Sequence, residues 1–97
     1  MPFQPVPGVN WKWAVVRTVG VTPSSRGTRQ VLASGVSAAP LKFHEDYDES
    51  TGAFSWSVSD RDGTRLASGT SERVACGWEN HSVPASEAPL SDPVVHG

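Results

Sequence analysis

From Trp11 to Val21 the side chains alternate: Trp11, Trp13, Val15, Arg17, Val19 and Val21 interleave with Lys12, Ala14, Val16, Thr18 and Gly20. A period of two sends successive residues to opposite sides of a pleated strand, so this run predicts a half-buried strand over 11–21. Thr22-Pro23-Ser24-Ser25-Arg26-Gly27 has the composition of a loop. A second strand is expected over 28–37, ended by Ala38-Ala39-Pro40. Next, Leu41, Phe43, Glu45 and Tyr47 alternate with Lys42, His44, Asp46 and Asp48, and Glu49-Ser50-Thr51-Gly52 turns the chain. Phe54, Trp56 and Val58 then share one face of a strand over 53–59, with Ala53, Ser55, Ser57 and Ser59 on the other. Asp62-Gly63 is a strong hairpin signal, because both residues tolerate the positive φ of a tight turn, and 64–70 is the return strand. The stretch 41–70 therefore predicts a three-stranded antiparallel meander.

After the meander the pattern admits two readings. Ser71 could cap a short helix over 71–80, with Glu72 in its first turn and Val74 and Trp78 one turn apart. Gly77 disfavours a long helix, and an irregular final strand is the alternative.

One pattern occurs twice. Gly27-Thr28-Arg29 leads into Leu32-Ala33-Ser34-Gly35, and Gly63-Thr64-Arg65 leads into Leu66-Ala67-Ser68-Gly69. A Trp-x-Val precedes each, at Trp13-Ala14-Val15 and Trp56-Ser57-Val58. The first copy carries the extra pair Gln30-Val31. An insertion of two leaves every side chain on its original sheet face. The echo predicts two related hairpins with Trp13 and Trp56 as equivalent anchors, in one sheet or in two facing ones.

Composition makes the core lean. The 97 residues suit one small domain, yet they include no Ile, four Leu and three Phe, so Val and four Trp must supply the bulk. Proline sets the ends apart: Pro2, Pro5 and Pro7 in 1–10, and Pro84, Pro89 and Pro93 in 82–97, predict extended arms flanking a β domain over 11–81. The expected class is all-β, a small antiparallel sandwich or open barrel of five to six strands.

Charge and chemistry narrow the function by exclusion. A net charge of −2 gives no long-range attraction to nucleic acid or anionic membrane. No apolar run is long enough to span a bilayer, and the start lacks the layout of a signal peptide, so a soluble protein made in the cytoplasm is expected. One cysteine, Cys76, cannot form an intramolecular disulfide. Asp46-x-Asp48-x-Ser50 opens like a calcium loop, but the sixth and twelfth positions are Thr51 and Ser57 where Gly and a bidentate acid are required. His44, Asp46 and Asp48 then read as a solvated, edge-protecting face. Cys76 and His81 lack the third group that a nucleophilic or zinc site requires.

No enzyme, metal or cofactor is therefore expected. The expectation is a structural or interaction protein of an oligomeric assembly, in a setting such as the capsid decoration or tail accessory of a phage virion. Its partner would be a second copy or a capsid or tail protein, and its contact residues Trp11, Phe3, Trp78 and Arg17. One alternative is a platform for single-stranded nucleic acid or glycan, with exposed Trp11, Trp13 and Trp56 edged by Lys12, Arg17, Arg29 and Arg65. The other is a small enzyme inhibitor with an acidic face of Glu45, Asp46, Asp48 and Glu49.

Overall fold

Each alternating run becomes a strand. The computed structural model describes residues 8–96, and among these the order is β1 (Val9–Val19), β2 (Thr28–Ser37), β3 (Lys42–Asp48), β4 (Ala53–Ser59), β5 (Arg65–Glu72), β6 (Gly77–Pro84) and β7 (Ser91–Val95). They form two antiparallel sheets, one of four strands in the order β6-β1-β2-β7 and one of three in the order β3-β4-β5. The predicted meander is the second sheet. Inward residues of both sheets share one core, so the architecture is an all-β sandwich.

Three expectations change. Seven strands replace five to six, because β6 and β7 arise where a helix or an arm was anticipated. No helix forms over 71–80. Ser71 is buried as the penultimate residue of β5, and its hydroxyl donates to the Val74 carbonyl at 2.6 Å instead of capping a turn. From Gly77 onward, Trp78 and Asn80 are half-buried while Glu79 and His81 are exposed, a period of two that lets β6 pair with the edge of β1. Third, the expected arms: Val9 and Asn10 open β1, opposite Pro84 and Val83, while 1–7, with Phe3, lie outside the described residues. At the other end, Ser82, Val83 and Pro84 finish β6, and β7 docks on β2 of the same chain.

The sequence echo is repeated in register. Trp13 faces Gly35 and Val15 faces Ala33; Trp56 faces Gly69 and Val58 faces Ala67. Pairing then slips at the same place in both hairpins, leaving Leu32 and Leu66 without a partner as the extra residue of a β-bulge. Gly27 and Gly63 both take positive φ, 81° and 88°. The central core is Trp13, Val15 and Ala33 from one copy and Trp56, Val58 and Ala67 from the other. The two anchors therefore lie in facing sheets.

Candidate functional site

The tryptophans point inward. Trp13 and Trp56 are 2% and 3% exposed, and Trp11 and Trp78 are half-buried. Trp78 stacks on Phe43 at 5.4 Å between ring centres and lies 5.8 Å from Trp13, so three rings join β3, β6 and β1. A stacking platform needs exposed ring faces, which the buried Trp13 and Trp56 do not offer, while Trp11 is half-buried. Of the predicted contact residues, Trp78 thus belongs to the inter-sheet stack and Trp11 to the inner side of β1, opposite Ser37 and Ser82. Arg17 reaches toward the other sheet, donating from Nε to Gln30 at 2.7 Å and from Nη1 to the Ser71 hydroxyl at 3.3 Å.

The acidic cluster is also divided. Glu45 turns inward and accepts the Cys76 N–H at 2.7 Å, while Asp46 stays exposed and meets His44 at 2.9 Å. Asp48 closes the β3–β4 turn by accepting from the Ser50 N–H and hydroxyl, which holds its pKa below the ordinary carboxylate value. Burial, followed by the neighbouring Glu45 carboxylate, pushes the Cys76 thiol up to about 11. That is the opposite of an activated nucleophile.

On the outside, each copy of the repeat forms a hollow floored by a small cross-strand pair, Ala14 with Ser34 and Ser57 with Ser68. The hollow on the four-stranded sheet measures about 540 Å³ and that on the three-stranded sheet about 320 Å³. Each is flanked by the arginine of Gly-Thr-Arg and by an acid and a histidine from the next strand: Arg29, Glu79 and His81 in one, Arg65, Asp46 and His44 in the other. Arg29 crosses β1 to make a two-pronged ion pair with Glu79 at 2.5 and 3.3 Å. Its span runs over Val16, an outward residue that is nevertheless only 8% exposed.

Exposed apolar groups gather at and just before β7, while Val21 and Tyr47, 64% and 55% exposed, stand elsewhere. Leu90, Val94 and Val95 are 61%, 52% and 53% exposed, and Leu90 lines a shallow recess with Val36 of β2. Two β7 residues, Asp92 and Pro93, lie opposite Gly35 alone between the paired positions, so Pro93 sits in a bulge of an edge strand. Proline there sacrifices little of the ladder and hinders pairing with a further strand. The β3 edge is protected instead by Lys42, His44, Asp46 and Asp48, all exposed. Sequence periodicity missed the β7 strip, because five residues containing a proline carry no clear alternation.

Among the described residues no helix is long and apolar enough to cross a membrane. No protein-family model, curated protein or solved structure matches the chain.

Proposed function

We propose that this chain is a non-enzymatic structural or interaction protein that works in an oligomeric assembly, with a second copy of itself as the partner. The carrying observation is the exposed aliphatic pair Leu90 and Val94 at the β7 margin, with Leu90 beside Val36 of β2. Apolar side chains exposed at a sheet margin favour burial against another molecule. Because Pro93 obstructs strand addition, the contact joins side chains and does not extend the sheet. A capsid-decorating or tail accessory component of a virion is a role of this kind.

A strip this narrow gives reversible association, at the low end of interfaces below about 1,200 Å² in total. Light scattering after size exclusion should show a mean mass that rises with concentration through the high-micromolar range. The double change Leu90→Lys and Val94→Lys should restore the monomer mass while the circular dichroism of the fold persists. A wild-type chain that stays monomeric throughout that range refutes the reading.

A further inference from the structure

Between the sheets, on the side where β5 approaches β7, the sandwich opens into a cleft of about 740 Å³. That volume lies within the range of small-molecule sites, and its lining has their usual make-up of an apolar wall with a few polar groups. Leu32, Val74 and Val95 contribute the apolar wall, and Arg17, Thr70 and Arg73 the polar groups. Two guanidiniums face the single carboxylate of Glu72, so the cleft is cationic.

Features of Arg17, Trp56 and Arg73 bear on what the cleft could hold. Arg17 is half-buried, yet its hydrogen bonds go to the neutral side chains of Gln30 and Ser71. A partly desolvated charge with neutral partners retains strong attraction for an anion. Trp56 is the one buried residue of the lining, and its indole Nε1 has no acceptor among the described residues. A buried donor without an acceptor costs the desolvation of that group, and since the nitrogen itself is closed off from the cleft, the Trp56 ring serves as a reporter of a body packed beside it. At the mouth, Arg73 takes φ 65°, a left-handed conformation that a β-carbon disfavours, held by its N–H on the Gly52 carbonyl at 2.9 Å. Backbone strain of this sort gathers at ligand sites.

We propose that this cleft binds an organic anion with a carboxylate head and an apolar body. The carboxylate bonds to the free N–H groups of Arg17 and is drawn in by Arg73. The body lies along Leu32, Val74 and Val95, close to Trp56.

Octanoate, with 1-octanol as its neutral counterpart, tests this on the ¹⁵N-labelled full chain by NMR. Octanoate should shift the Trp56 indole N–H and the Leu32 and Val74 amides saturably, and octanol should bind about tenfold more weakly or worse. Arg17→Gln should weaken octanoate by a similar factor. Arg73→Gly, which suits a φ of 65°, should weaken it several-fold in a chain that folds at least as well, so it decides the matter if Arg17→Gln unfolds. Equal affinity for octanoate and octanol, or unchanged binding in Arg73→Gly and Arg17→Gln, overturns the proposal. Val94→Lys acts on the outer face and should leave octanoate binding intact, which separates this site from the association strip.

Discussion

At the scale of single residues, the repeat depends on a large ring lying over a residue with no side chain. A β-carbon built on Gly35 would come within 2.8 Å of the Trp13 indole, and one on Gly69 within 2.7 Å of the Trp56 indole. Both contacts are shorter than van der Waals separation and fall on rigid, buried rings, so neither neighbour can yield cheaply. Gly35→Ala and Gly69→Ala should each cost about 1–3 kcal/mol by overpacking, read from chemical denaturation. Ala at Gly52, whose β-carbon would meet no atom within 4 Å, is strained by its φ of 74° alone. A pair of near-zero costs at Gly35 and Gly69 would mean that the rings do not rest on these glycines.

Among the elements, strands differ in what holds them. The strands β1, β2, β4 and β5 carry the paired Trp-x-Val and Ala-Ser-Gly segments and all six residues of the central cluster. By contrast, β7 has every residue exposed and an interrupted ladder to β2. Local opening free energy follows buried apolar contact and ladder continuity. Amide exchange should therefore be slowest at Val15 and Val58 and fastest, among the strands, in β7. Protection in β7 equal to that at Val15 would place β7 within the cooperative core and remove the basis for treating its strip as an independent docking element.

For the whole molecule, stability rests on the junction of two hairpins, because their six buried residues pack as one cluster that Phe43 and Trp78 extend. Replacing Trp13 or Trp56 by Ala should cost about 3–5 kcal/mol apiece, a large share of what a small domain possesses. The two belong to one packed cluster. Their effects should therefore depart from additivity by about 0.5–3 kcal/mol, measured with the milder Trp13→Leu and Trp56→Leu pair. Strict additivity would mean two independent half-cores.

Local periodicity and turn chemistry were enough to specify five strands, the Asp-Gly hairpin and the equivalence of Trp13 with Trp56, since each depends on neighbours within a few residues. The cross-strand register that seats Trp13 over Gly35 and Trp56 over Gly69 emerged only with the strand pairing. Other features depended on partners distant in sequence. Trp78 reads as helical or extended until Phe43 and Trp13 are beside it, and 91–95 becomes a strand because β2 offers it an unpaired edge. The candidate cleft is of the same kind. Arg17 and Trp56 line one cleft only when one hairpin is laid on the other, since burial and electrostatic partnership are properties of the packed sandwich and alternation belongs to the chain.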